Sequence, residues 1–105
     1  MAFQMGGNLL DFFVLAVLQN GDTYGYLLTQ HAKEKMNISD STLYPVLRRL
    51  QKEGALTTYD QPFQGRNRRY YSITDQGRML LGGYKEEWER YKAQVDQILS
   101  GGLEE

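Results

Sequence analysis

The sequence contains no cysteine, one histidine and two prolines in 105 residues. The absence of cysteine excludes disulfides and thiolate metal ligands. A nucleophilic triad needs a base that a third group orients. The single histidine, His31, falls in a segment of helical periodicity, where a half-buried packing role is expected. We therefore predict no catalytic residue, no metal site, no cofactor and no enzyme activity.

Glycine-rich phosphate loops and long hydrophobic runs are also missing. The pairs Gly6-Gly7, Gly82-Gly83 and Gly101-Gly102 stand in no G-x-G-x-x-G or P-loop context. The apolar run of residues 9–18 contains Asp11 and is too short to span a bilayer. No basic stretch precedes this run and no cleavage site of small residues follows it, so we expect no signal peptide and a cytoplasmic protein.

The charge is small in total but unevenly distributed. A net charge of -1, with 41% hydrophobic and 24% charged residues, is ordinary for one globular domain. Residues 40–78 contain seven Lys/Arg and four Asp/Glu, net +3, whereas residues 79–105 contain three and six, net -3. Affinity for nucleic acid follows such a local basic patch more than the total charge.

Residues 39–54 predict a helix with one apolar face and one polar face. Spacings of three, one and three put four aliphatic side chains on one side, namely Leu43, Val46, Leu47 and Leu50. Ser39 is expected to cap the helix through its hydroxyl, and Gly54 to end it. The opposite side presents Ser41, Arg48 and Lys52.

Two short strands are predicted after this helix, at residues 56–59 and 69–73, because both are rich in β-branched and aromatic residues. The turn residues between them are Asp60, Pro62, Gly65 and Asn67. Helix, hairpin and a basic tip, in this order, predict an α+β, mainly helical fold with a winged helix-turn-helix. In that fold the helix enters the major groove and the hairpin lies over the neighbouring backbone.

These segments also carry a family resemblance. The patterns STLYPVLRRL, beginning at Ser41, and GRNRRYYSITDQG, beginning at Gly65, resemble the signatures of PadR-type transcriptional regulators, as does Tyr24-Gly25-Tyr26. Many members have proline or glycine where this chain has Asn67. The single helix after the wing is similar to the short subgroup of the family. The resemblance implies that Tyr44 and the wing arginines touch DNA, and that an effector binds in a central pore.

The predicted DNA-binding residues share hydroxyl or cationic groups on the helix and the hairpin. They are Ser41, Thr42, Tyr44, Arg48, Lys52, Arg66, Arg68 and Arg69. Arg48 can read a guanine through two hydrogen bonds or contact a phosphate instead. The wing arginines are expected to hold phosphates, and one of them can enter the minor groove.

The first and last helices predict a homodimer. Residues 9–18 are apolar on almost every side, which suggests a second subunit, although the central helix of a monomer would look the same. In the last helix a heptad pattern runs over nearly three repeats with no local element left to cover it. The predicted dimer interface comprises Leu10, Phe13, Leu81, Tyr84, Trp88, Tyr91, Val95 and Ile98.

We expect residues 1–74 to form the winged domain and residues 75–105 a dimerisation helix of the same compact unit. The predicted function is a dimeric repressor that binds double-stranded DNA at an inverted repeat. A small planar aromatic effector is expected between Trp88, its symmetry mate and Tyr84, although Trp88 can equally be a plain interface residue. The competing hypothesis is a winged-helix module that binds an acidic protein instead of specific DNA.

Overall fold

The computed structural model describes residues 5–101 of the chain. Its elements are α1 (Met5–Gln19), β1 (Thr23–Tyr24), α2 (Gly25–Met36), α3 (Asp40–Lys52), β2 (Leu56–Phe63), β3 (Arg66–Ile73) and α4 (Asp75–Leu99). Four helices and a small antiparallel sheet form an α+β fold, as predicted from the sequence. Helices α2 and α3 are the helix-turn-helix pair, and the hairpin of β2 and β3 is the wing.

The core lies between α1, the helix-turn-helix and the base of the wing. Helix α1 contributes Val14, Leu15 and Leu18, all at most 1% exposed. The predicted apolar face of α3 joins them, since Leu43, Leu47 and Leu50 are fully buried, while Val46 packs partly buried at the margin. Helix α1 begins at Met5, before the apolar run of residues 9–18, and α4 covers one of its sides.

The wing is longer and tighter than the sequence suggested. The strands pair from Leu56 opposite Ile73 to Phe63 opposite Arg66, so the turn consists only of Gln64 and Gly65. Both turn residues have positive φ, 51° and 80°, a combination that suits the twist of a two-residue hairpin. Asp60, Pro62 and Asn67, predicted as turn residues, therefore lie in strands.

A third strand extends the sheet to the order β1-β3-β2. Thr23 and Tyr24 pair with Tyr71 and Tyr70, so β3 is the central strand. Ser39 occupies the N-cap position of α3 as predicted, but its hydroxyl makes no cap bond to a backbone amide. The Oγ atom lies 3.1 Å from the hydroxyl oxygens of Ser41 and Thr42 instead.

The start of α4 is fastened to the end of α3. The Thr74 hydroxyl caps α4 by accepting from the Gly77 amide at 3.0 Å and donates to the Gly54 carbonyl at 2.6 Å. Gly77 is buried, and a Cβ atom there would lie 2.2 Å from the Ala55 carbonyl oxygen. This close approach brings the first turn of α4 against the backbone of the α3–β2 connection.

Helix α4 has 25 residues, so it is about 38 Å long. Its heptad stripe divides into two parts. Leu81, in its first half, is 2% exposed and belongs to the core of this chain. Tyr84 and Trp88 are half-buried against α1, so the stripe does have a local partner over its first half. Tyr91 and Ile98 are exposed.

Candidate nucleic-acid interface

Helix α3 presents its polar face to solvent because its leucines anchor the opposite face in the core. Ser41, Arg48 and Lys52 are exposed, as the spacing predicted, and Thr42 and Tyr44 are exposed beside them. Pro45 lies in the second turn and is also exposed, so its ring does not disturb the buried side. The helix therefore offers hydroxyl and cationic groups along one accessible side.

A cleft of about 590 Å³ separates the beginning of α2 and α3 from the wing. Its lining combines tyrosines of the helices and the sheet with polar residues of the wing, namely Tyr24, Gly25, Tyr26, Tyr44, Asp60, Asn67, Arg68, Arg69 and Tyr71. Tyr71 is a buried member of this lining, and its burial raises the pKa of its phenol. The cleft is thus lined by phenols and guanidinium groups, which are donors to phosphate oxygens.

The three wing arginines occupy different environments. Arg66 follows the turn directly and is exposed. The Arg69 Nε atom lies 3.3 Å from Asp60 Oδ1, so its charge is partly compensated at the surface. The Arg68 guanidinium carbon lies 3.6 Å from the ring centroid of Phe63 and 3.9 Å from that of Tyr24.

Comparison with known proteins identifies the kind of molecule that carries this helix and wing. The sequence model of the transcriptional regulator PadR-like family matches residues 14–82. This chain belongs to the PadR-like family of transcriptional regulators. This membership confirms the family that the sequence predicted. Members of the family are transcriptional regulators and not enzymes, which agrees with the predicted class of protein.

Solved structures of other proteins resemble this PadR-like chain over nearly its whole length. The crystal structure of smu.1704 from Streptococcus mutans UA159 is 39% identical and covers 100% of this chain and 99% of that one, with a TM-score of 0.87. A PadR-like transcriptional regulator from Bacillus cereus is 31% identical, covers 91% and 96%, and has a TM-score of 0.80. The negative transcriptional regulator PadR of Bacillus subtilis is 30% identical over 79 residues, which is 70% of this chain and 43% of that protein.

An aromatic layer on the outer face of the wing was missed from the sequence. The rings of Tyr59 and Tyr70 stack with centroids 5.4 Å apart, and Tyr24 meets Tyr70 edge-on at 5.7 Å. The Tyr59 hydroxyl donates to Asp22 Oδ2 at 2.7 Å, and this bond raises the pKa of Tyr59. One tyrosine in each of the two predicted strands, Tyr59 and Tyr70, was the available signal, because residues that pair across a hairpin share one face of it.

A buried carboxylate that links three helices was also missed. Asp11 of α1 is 3% exposed and accepts from Arg49 of α3 at 2.5 Å and from the Tyr84 hydroxyl of α4 at 3.3 Å. The bond to Asp11 raises the pKa of Arg49, while burial, followed by the Asp11 charge, raises the pKa of Tyr84 to about 12. A lone acid within an apolar helix was the signal in the sequence, since buried charges require partners.

The predicted effector residues Trp88 and Tyr84 differ in their surroundings. Trp88 lines an apolar cavity of about 310 Å³ on the outer face of α1. The other lining residues are Leu9, Phe12, Phe13, Ala16 and Met36. Tyr84 does not line this cavity; its ring lies 6.2 Å from that of Phe12 and its hydroxyl faces Asp11.

The remaining predicted interface residues lie on the outer sides of α1 and α4. Leu10, Phe13 and Val95 are half-buried, while Tyr91 and Ile98 are 38% and 52% exposed. Within residues 5–101, no three His, Asp or Glu side chains come together as a metal site would require. In the same part of the chain, every helix is too short or too polar to cross a membrane.

Proposed function

We propose that this PadR-like regulator is a homodimeric repressor that binds operator DNA through α3 and the wing. The observation that carries the proposal is the cleft that Tyr44 of α3 lines together with Asn67 and Arg69 of β3. A helix that enters the major groove beside a hairpin on the adjacent backbone would place a phosphate strand along such a cleft. Chromosomal DNA as the ligand implies a cytoplasmic location.

Within this interface, we assign groove contacts to Ser41, Thr42, Tyr44 and Arg48, which share the exposed side of α3. Arg48 is the candidate for two hydrogen bonds to a guanine, or for a phosphate contact. Lys52 lies one turn further on and is placed for the backbone. Arg66, Arg68 and Arg69 are assigned to phosphates on the wing side.

Arg66→Ala tests the DNA-binding assignment. Loss of one phosphate contact should weaken binding to all sequences and flatten the dependence of log K on log salt by about 0.9 per subunit. Gel shifts at several salt concentrations, with the promoter region of the chain's own gene, measure both effects. Arg78→Ala is the matched control, because it removes an exposed arginine at the start of α4, away from the cleft. Equal losses in the two variants would contradict the wing assignment.

The dimer is proposed to form through the outer faces of α1 and α4. Leu9 and Phe13 of α1 and Ile98 of α4 are partly or largely exposed apolar side chains in the protomer. A second subunit that covers them would remove apolar area from water and would set the distance between two α3 helices. Residues 1–74 would then act as the DNA-binding part and residues 75–105 as the dimerisation part. Sedimentation that shows a stable monomer at micromolar concentration would contradict this arrangement.

A small planar aromatic compound is the proposed effector, and the apolar cavity beside Trp88 is its proposed site. The cavity is of the size that small ligands occupy and is lined by three aromatic rings. A ligand there would change the angle between the subunits and lower operator affinity, with a coupling of about 1–3 kcal/mol. Titration of Trp88 fluorescence with planar aromatics tests this. If neither the fluorescence nor the operator affinity changes, Trp88 only fills the interface.

The alternative is a winged-helix module that docks its basic wing on an acidic protein. The exposed Arg66 and the cation at Arg48 would serve either partner. The gel shift separates the two proposals, since a protein-binding module would retain no promoter fragment even at low salt.

A further inference from the structure

Arg68 differs from the other arginines of the wing in how firmly it is held. Its side chain is half-buried, whereas Arg66 and Arg69 are exposed. Among the described residues, no carboxylate lies within ion-pair distance of Arg68, while Arg69 is paired with Asp60. Arg68 therefore keeps an uncompensated charge at the edge of the cleft, on the same face of the sheet as Tyr70.

The sheet register brings two aromatic rings to this guanidinium. Arg68 is directly opposite Gln61, so Phe63 of β2 is its diagonal neighbour on the same face of the sheet. Tyr24 approaches from β1, on the other side of β3. The two rings come from strands on opposite sides of β3, and both centroids lie within 4 Å of the guanidinium carbon, 3.6 Å for Phe63 and 3.9 Å for Tyr24, so the rings enclose the guanidinium between them.

We infer that Phe63 and Tyr24 are positioning residues for DNA binding, because they hold the guanidinium of Arg68 between them at the edge of the cleft, with its N–H groups directed to a phosphate. This inference rests on the proposed function. A guanidinium covered on both faces can donate hydrogen bonds only in its own plane. A free arginine loses rotamer freedom when it binds a phosphate, whereas Arg68 has already lost it in the unbound protein.

The side chain of Phe63 makes no polar contact that could bind DNA in place of Arg68. Phe63 is 42% exposed near the tip of the wing, so its ring contributes little to the core. Phe63→Leu therefore removes the aromatic face and keeps an apolar side chain, the strand and every charge. The substitution therefore changes how the Arg68 side chain is held without changing its charge.

The test is a double-mutant cycle of Phe63→Leu and Arg68→Ala, measured as operator affinity of the full chain at several salt concentrations. Phe63→Leu should weaken binding about threefold per subunit, or about tenfold for a dimer, with the wild-type salt slope, because the number of phosphate contacts is unchanged. Arg68→Ala should flatten the slope by about 0.9 per subunit. In the Arg68→Ala background, Phe63→Leu should have no further effect.

Phe63→Tyr, unlike Phe63→Leu, should keep wild-type affinity, because it keeps an aromatic ring in the same place. Two results would overturn the inference: wild-type affinity in Phe63→Leu, or an undiminished effect of Phe63→Leu once Arg68 is alanine. Thermal melts of all variants should coincide, and a large fall for Phe63→Leu would instead indicate loss of the wing. Failure of the wild-type protein to retain promoter DNA would overturn the proposed function itself, which is a different outcome.

Discussion

Gly77→Ala should destabilise the protein although alanine is the better helix former. The added Cβ atom would lie 2.2 Å from the Ala55 carbonyl oxygen and 2.8 Å from Ile73 Cγ1. The Ala55 oxygen is a backbone atom that already accepts from the Thr74 amide at 3.1 Å, so it cannot move away freely. Overpacking of this kind costs about 3 kcal/mol at the upper end of the usual range, and helix propensity returns at most about 1 kcal/mol.

The expected net loss from Gly77→Ala is about 2 kcal/mol, or a fall in Tm of roughly 8–16 °C for a domain of this size. Gly82→Ala is the matched control in the same helix, because an added Cβ there meets nothing within 4 Å. The control should stabilise by up to about 1 kcal/mol. Urea unfolding followed by circular dichroism, at fixed protein concentration, measures both. The same sign of change in the two variants would refute the close approach of α4 to the α3–β2 connection.

Three further predictions concern the polar bonds between helices. Asp11→Asn should cost about 2 kcal/mol in urea unfolding, since a charged bond is lost but Arg49, 45% exposed, can turn to water; no loss would mean that the pair is not formed. Because burial and Asp11 raise the pKa of Tyr84 to about 12, the folded state favours the neutral phenol. The stabilisation that the neutral phenol contributes is complete below pH 10 and is lost between pH 10 and 12. The Tm of Tyr84→Phe should therefore fall less than the Tm of the wild type across that interval in thermal melts. Thr74→Val removes the cap and the bond to Gly54 and should cost about 1–2 kcal/mol, seen as a lower urea midpoint; an unchanged midpoint would refute that role.

The helix-turn-helix was predictable because its information is local. Leucines at helical spacing determine which side of α3 is buried, and the same spacing leaves Ser41 and Arg48 exposed. The wing as an element was predictable too, but its length was not. Turn propensities placed Asp60, Pro62 and Asn67 in a loop, whereas cross-strand pairing such as that of Tyr59 with Tyr70 extends both strands past them. Pro62 fits because β2 is an edge strand.

Contacts between distant parts of the chain could not be inferred from spacing. Asp11 and Arg49 are 38 residues apart, and no periodicity in either helix indicates that they meet. The heptad stripe of α4 was assigned wholly to a partner subunit, but α1 covers its first half, because α1 is apolar on more sides than the core alone can fill. The stacking on Arg68 likewise depends on the third strand, β1. This strand contains only Thr23 and Tyr24, which is too short a segment to be predicted from the sequence.

The two-sided pairing of β3 has a consequence for how the hairpin opens. Near its base, Tyr70 and Tyr71 have neighbours on both β1 and β2, whereas Arg66 to Arg69 are bonded to β2 alone. Amide protons should therefore exchange fastest at the Gln64-Gly65 end and slow progressively toward Ile73. Such a gradient means that the tip of the hairpin moves more easily than its base, which is paired on both sides. In the proposed complex with DNA, a mobile tip would follow a duplex whose groove width varies from site to site, while the base keeps the orientation of the wing to α3 constant.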